Sequence, residues 1–465
     1  MNKRLVTWLS LSAAVVFCSA CGGNSPASQP AEAGGQAADA AGTSATSPAA
    51  GSGSAAGTSA AAPVAGQAGA GSAGRAPAAS AGTGSAAAGT SDAAGTAAGS
   101  AAEPSAGAPA AGGGGAGGAA PTEPAKPRRA VSADFLEQTL SIVDVDKLKE
   151  GGKRSDALIG KVDLSMFLPG PLAVAVTPDG KTAVVSISGG WLGLVGAMVP
   201  AGDGTLVFVD LEKRTVIGDL NTGRNPMGIA ITKDGKHAFV GQMSDTYMAY
   251  VDIEKRTYER ISTGNSWNEE LAIDDTGMVG ALTTGIAGDA MTFSIASPSM
   301  TKGQTRGLTG DAGGVAFFPG TLFAFVVQAP TALTQNTGGY NVIDASNPAA
   351  PKMTDNVRVT NDMRIAYPVT SVPNRKSVVY PSTEGGKLNL IEMALENGKA
   401  KQVQKLEAGA ASTLAYGLSS SAEGLVLAAC GTDHNVYVAD LATGKAFTVP
   451  WETTKTGPID IKYIP

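Results

Sequence analysis

The sequence is poor in the residues that most often carry chemistry. Its 465 positions hold three cysteines, Cys18, Cys21 and Cys430, and two histidines, His237 and His434. Two of the cysteines lie near the N-terminus, so the foldable region has only Cys430 and cannot form a disulfide within itself. The histidines lack metal-ligand spacing, and no Cys-x-x-Cys-His haem-attachment pattern occurs. No metal site and no cofactor are expected. The formal net charge of −6 is spread along the chain without a basic stripe, which argues against nucleic acid as a partner. Large apolar side chains are nearly missing between about Gly22 and Pro127, where Ala, Gly, Ser, Thr and Pro dominate. Such a stretch cannot offset the entropy of ordering it, so it is expected to be a disordered linker.

What is present begins with an address. Lys3 and Arg4 precede an apolar stretch from Leu5 to Phe17 that is too short for a permanent membrane span. Ser19-Ala20-Cys21 follows, two small residues directly before a cysteine. This arrangement resembles the lipobox of bacterial lipoproteins, although Cys18 stands where an aliphatic residue is usual. The resemblance implies cleavage before Cys21, lipidation of its sulfur, and a lipid membrane as partner through the acyl chains. The expected location is the bacterial cell envelope, on the periplasmic or surface side of the outer membrane. An ordinary secretory signal cut after Ala20 is the alternative. The expected organisation is a signal peptide over 1–20, a tether over 21–127 and one folded domain over 128–465. A flexible tether of about 100 residues has an r.m.s. span of roughly 50–60 Å.

The folded region repeats. One unit runs Pro171-Leu172-Ala173-Val174-Ala175-Val176-Thr177-Pro178-Asp179-Gly180-Lys181, then an apolar strand from Thr182, then Thr205 to Asp210. The next runs Pro226-Met227-Gly228-Ile229-Ala230-Ile231-Thr232-Lys233-Asp234-Gly235-Lys236, then a strand from His237, then Met248 to Asp252. Short apolar strands, Asp-Gly turns and Val-Asp strand ends recur about every 40–55 residues, the pattern of four-stranded propeller blades. The units resemble the YVTN-type repeats of bacterial surface and periplasmic proteins, through the opening at Pro226 to Ala230, the Pro178-Asp179-Gly180-Lys181 turn and the Val-Asp ends. The resemblance implies an all-β, seven-bladed β-propeller.

Seven first strands can be counted: Leu172–Thr177, Met227–Thr232, Glu270–Asp274, Gly314–Phe318, Tyr367–Val372, Leu414–Ser419 and Ile459–Ile464. The last has no strand after it. Arg129–Phe135 and Thr139–Asp144 are expected to complete that blade, with Ala130–Phe135 antiparallel to Ile459–Ile464. Closure removes free sheet edges.

Loops leading into the innermost strands supply the candidate ligand site at the channel mouth: Arg224, Asn225, Asn265, Trp267, Asn268, Glu269, Asp311, Asn361, Asp362, Arg364 and Lys455. A calcium site from Asn268, Glu269 and Asp311 is one possibility that the spacing does not demand. Some YVTN-like propellers resemble seven-bladed sugar lactonases, which implies Glu269 activating water beside Arg224 or Arg364. No motif of that family maps onto the chain. A second candidate is the apolar, Gly-rich loop from Gly189 to Pro200, with Trp191, Leu192 and Leu194 as contact residues. Cys430 ends the apolar run from Leu425 and is expected to be a buried structural thiol. The sequence reads as a non-catalytic binding or scaffold module of unknown ligand, with a lactonase-like hydrolase as the alternative.

Overall fold

The computed structural model describes residues 127–188, 203–285, 288–306, 308, 311–329, 338–359, 364–365, 368–411, 415–451 and 457–465. Cys21 and the tether lie outside the described residues, as do Trp191, Leu192, Leu194, Asn361, Asp362 and Lys455.

Seven antiparallel sheets form seven blades. Six are built in simple sequence order. Blade 1, for example, comprises Pro171–Val176, Thr182–Ile187, Asp203–Asp210 and Thr215–Arg224. Blade 2 comprises Pro226–Ile231, His237–Gln242, Tyr247–Asp252 and Thr257–Ser262. The innermost strands of blades 3 to 6 are Asn268–Ile273, Asp311–Phe317, the pair Arg364–Ile365 and Thr370–Val372, and Gly417–Ser420. Consecutive innermost strands pack side by side in a closed circle.

The seventh blade joins the two ends of the chain. Its order is Asp460–Ile464, Arg129–Asp134, Thr139–Asp144 and Leu158–Asp163. Arg129 faces Ile464 and Ala133 faces Asp460, the antiparallel closure expected from the sequence. The fourth strand is separated from the third by two short helices, Val145–Lys149 and Arg154–Ala157, which the repeat pattern does not announce. Asp144 caps the first helix by accepting from the backbone N–H groups of Asp146 and Lys147.

Local chemistry explains the turns. In blade 1 the Thr177 hydroxyl donates to Asp179 at 2.6 Å and accepts from Thr182 N–H at 3.0 Å, while Asp179 also accepts from Lys181 N–H at 3.1 Å. Gly180 sits at φ +70°, where a side chain would be strained. Blade 2 repeats the arrangement with Thr232, Asp234, Lys236 and Gly235. These bonds hold both carboxyls below the usual range, led in each case by the threonine hydroxyl.

Central strands are buried on both faces because each blade is sandwiched between two others. Leu140 and Ile142 of blade 7 pack with Val174, Val185 and Val207 of blade 1. Val143 and Ala130 face the other way, into Leu427, Val436 and Trp451 of blade 6. Outer strands alternate: Thr215–Arg224 shows exposed and half-buried positions in turn. Cys430 is buried in the core between blades 5 and 6, and burial pushes its thiol pKa up.

Candidate functional site

The residues expected at the channel mouth are largely engaged in holding loops together. Arg224 ends the last strand of blade 1. Its guanidinium donates to Asp245 at 3.0 and 3.1 Å and to the Ser244 carbonyl at 2.7 Å. Asn225 is buried in the left-handed region at φ 55°, and its amide donates to the Ser244 hydroxyl at 2.8 Å. Asn268 and Glu269 belong to the innermost strand of blade 3 and not to the loop before it; both are buried. The Asn268 amide nitrogen faces the carbonyls of Asp245 at 2.9 Å, Asn265 at 3.1 Å, Gln242 at 3.2 Å and Tyr247 at 3.3 Å. It ties the 242–247 loop of blade 2 to blade 3. Asp311 and Arg364 each begin an innermost strand.

Trp267 stands apart from these polar anchors. It adopts φ 70°, donates its backbone N–H to the Met243 carbonyl at 2.7 Å, and packs against an apolar cluster of Phe135, Leu172, Met227, Met243 and Ile459. Blades 7, 1 and 2 all contribute to that cluster. Beside the described polar groups, which are bonded to neighbouring loop side chains and carbonyls, this side of the ring thus carries an apolar cluster.

The calcium reading gains no support here: Asn268 donates through its amide nitrogen to loop carbonyls, and the side chain of Asp311 lies outside the described residues. Among the described residues no group of three or more His, Cys, Asp or Glu could hold a metal ion. His237 stacks on Tyr250 within blade 2, with ring centroids 4.8 Å apart. His434 forms a left-handed turn in blade 6 at φ 55°. Of the two arginines considered beside Glu269, Arg224 pairs with Asp245, and the side chain of Arg364 lies outside the described residues.

The concavity lies deeper, inside the ring. The innermost strands enclose a cavity of about 370 Å³. Most of its wall is aliphatic or backbone, but Glu270 of blade 3 and Asp460 and Lys462 of blade 7 line it as well. The strands of blades 1 to 4 each carry an irregularity at the same level: between Pro171 and Ala173, Pro226 and Ile229, Asn268 and Leu271, and Ala312 and Val315. Such bulges re-aim side chains. At this level blades 1, 2 and 4 present Ala173, Gly228 and Gly314, and blade 3 presents Glu270. Gly228 is required by close approach: a Cβ there would stand 2.7 Å from a Glu270 carboxylate oxygen and 2.7 Å from the Glu269 carbonyl. Gly417 of blade 6 has the same relation to blade 7, with a Cβ position 2.6 Å from an Asp460 carboxylate oxygen. Each carboxylate thus occupies space that a glycine in the preceding blade leaves open.

The two acids differ in their partners. Asp460 accepts from Val174 N–H at 3.0 Å, from its neighbour Ile461 N–H at 2.8 Å and from the Lys462 ammonium at 2.9 Å. Lys462 also donates to the Leu418 carbonyl at 3.1 Å. Glu270 has no such set: among the described residues its carboxylate makes no hydrogen bond or ion pair. Burial pushes its pKa up to about 7, helped by the Asp460 charge and opposed by Lys462. A carboxyl in that range changes charge around neutral pH.

Sequence reasoning looked for the site in the loops and missed these strand residues. A signal was available in the repeat itself. Where blades 1 and 2 carry Ala173 and Gly228, blade 3 carries Glu270, and the last strand reads Asp460-Ile461-Lys462.

No protein-family model matches the chain, and no curated protein sequence is similar to it. Among solved structures, it is similar to the crystal structure of a functionally unknown protein from Desulfotomaculum acetoxidans DSM 771, with 13% identity and a TM-score of 0.56, covering 72% of this chain and 98% of that one. Weaker likenesses are to hydrazine synthase of Kuenenia stuttgartiensis, with 16% identity, a TM-score of 0.48 and coverage of 68% and 90%. The β-propeller domain of Cps50 (Swd1) from Myceliophteria thermophila follows, with 12% identity, a TM-score of 0.45 and coverage of 63% and 88%. At 13% identity the first likeness is one of fold alone, and the chain is an all-β, seven-bladed β-propeller.

Proposed function

We propose that this protein is a non-catalytic binding module of the bacterial cell envelope, with its ligand site in the central cavity of the propeller. The observation that carries the reading is Glu270, a carboxyl facing the cavity without a hydrogen-bond partner among the described residues. Polar groups placed among apolar side chains in a concavity are the usual makings of a ligand site, and Glu270, half-buried there, is open to one. A hydrolase needs a base and an electrostatic stabiliser aimed at one reacting centre. Here Arg224 is paired with Asp245 and Lys462 with Asp460, and the described residues lining the cavity bring no other base and cation together at one point, which supports binding over hydrolysis.

The envelope location is read from Lys3, Arg4, the apolar stretch after them and Ser19-Ala20-Cys21. In this reading the acyl chains on Cys21 hold the propeller to a membrane through a long flexible tether, the YVTN-like repeats being those of a surface or periplasmic protein. Two measurements test the two parts. Cys21→Ser should release the chain from membranes or block processing; unchanged fractionation with normal precursor cleavage counts against lipidation. A thermal-shift screen of the full chain against small molecules of differing charge should find stabilisers in wild type that Glu270→Gln weakens.

A further inference from the structure

We propose that the cavity inside the ring takes a small organic cation, whose ammonium group pairs with the Glu270 carboxylate. The proposal rests on the reading of the cavity as the ligand site and names the chemistry of the ligand. Three observations carry it.

The first is the charge balance. The charged or titratable groups lining the cavity are Glu269, Glu270, Tyr416, Asp460 and Lys462. Lys462 and Asp460 neutralise each other at 2.9 Å. Burial pushes the Tyr416 pKa well up, so its hydroxyl stays neutral. Glu269 lies in the wall and has a partner of its own. Glu270 is left as the acid that makes no ion pair of its own among the described residues: Lys462, whose charge opposes its rise in pKa, is bonded to Asp460.

The second is shape. Gly228 leaves bare backbone beside Glu270, and any side chain there would meet the carboxylate at 2.7 Å. The neighbouring strand is therefore cut back to seat the carboxylate at the cavity wall. The third is the surrounding wall. Val174, Ile229, Leu271, Val315 and Leu418 border the same cavity beside Thr370, Ser371 and Ser419, so a ligand pairing with Glu270 meets apolar side chains over part of its surface. An inorganic cation wants several oxygen ligands converging on one point, and among the described residues no group of three or more His, Cys, Asp or Glu is placed to supply them. A compact amine with an apolar body fits both the charge and the wall. A cavity of about 370 Å³ suits a molecule of small-ligand size.

The physics makes binding pH-dependent. Without ligand Glu270 holds its proton until about pH 7. A cation pairs with the ionised form, so binding below that pH expels the proton, and affinity should rise up to roughly tenfold per pH unit until it levels off above neutrality.

The test is calorimetric titration of the full chain with benzylammonium and cyclohexylammonium. Benzyl alcohol, cyclohexanol, benzoate and calcium ion serve as matched probes, each measured at pH 5.5 and pH 8. The expected result is that the amines bind about tenfold or more tighter at pH 8. At pH 6 they should release close to one proton, read from the dependence of the heat on buffer ionisation enthalpy. Glu270→Gln should lose both the tenfold preference and the proton release. Wild-type comparison of amine with alcohol keeps the proposal open to refutation even if the variant folds poorly. Equal binding of alcohols or carboxylates, or binding of calcium in place of amines, overturns the organic cation while leaving the cavity as the ligand site. If no probe of any class binds, the cavity reading falls with it.

Discussion

Trp451 donates its indole N–H to a carboxylate oxygen of Asp134 at 2.9 Å, joining the end of blade 6 to blade 7 across 317 residues of sequence. Asp134 is the centre of a buried network. It also accepts from Ser141 at 2.6 Å, Ser132 at 3.0 Å and the Arg154 guanidinium at 3.0 Å, while that guanidinium lies over the Trp451 ring at 5.4 Å. Arg154 comes from the second of the two short helices of blade 7, so the helical insertion supplies the counter-ion that the buried acid needs.

The two partners should therefore differ in what their loss does. Trp451→Phe keeps most of the apolar contact and removes one hydrogen bond to a charged group, which should cost about 1–3 kcal/mol. Asp134→Ala leaves Arg154 buried beside Glu137 alone and should cost about 3–5 kcal/mol. Urea unfolding of each variant at constant slope measures the difference. Equal losses would mean that the charge pair contributes nothing beyond the indole bond.

Ring closure makes a stronger demand. Deleting residues 126–146 removes two strands of blade 7, together with the buried Val131, Leu140, Ile142 and Val143. Each such side chain contributes about 1.5–3 kcal/mol on burial, against a typical domain stability of about 5–15 kcal/mol. The truncated chain should lose its cooperative thermal transition altogether. A melt like that of the full chain would separate the closing strands from the stability of the ring.

Glu270 gives stability a defined pH dependence. Its folded pKa of about 7 lies above the value near 4.3 expected in the unfolded chain. The folded state therefore holds the proton more tightly, and this contribution falls as pH rises from about 4.5 to about 7, then stays flat. Asp179 and Asp234, held low by their turns, act in the opposite sense at more acid pH. The comparison with Glu270→Gln isolates the effect: the variant should be near wild type at pH 5 and more stable by on the order of 2–3 kcal/mol at pH 8. A difference that does not change between the two pH values would mean that Glu270 is not held near neutrality by its surroundings.

The tether should be dispensable for folding. Deleting Ser25 to Ala120 removes residues whose composition offers little to pack. The melting temperature of the propeller should move by less than about 2 °C, within what a loss of under roughly 0.5 kcal/mol produces in a domain this large. A larger fall in a calorimetric scan would mean that this segment packs on the blades.

The architecture was legible in the sequence because blades are local. Thr177-Pro178-Asp179-Gly180 and Thr232-Lys233-Asp234-Gly235 are bonded within five residues, so the turn chemistry appears in the chain as a repeated string. Pairing of Arg129–Asp134 with Asp460–Ile464 followed from an unfinished last unit and the need to satisfy its edges. Two features depended on distant partners instead. Glu270 matters because Gly228 of the preceding blade leaves it room and because Lys462, in blade 7, is already held by Asp460. Arg224 and Asn268, conspicuous in the sequence, are spent on Asp245 and on backbone carbonyls. Strand period and turn chemistry act over a few residues and can be read along the chain. Which polar group is left without a partner is decided only when seven strands from separate parts of the sequence converge on one axis.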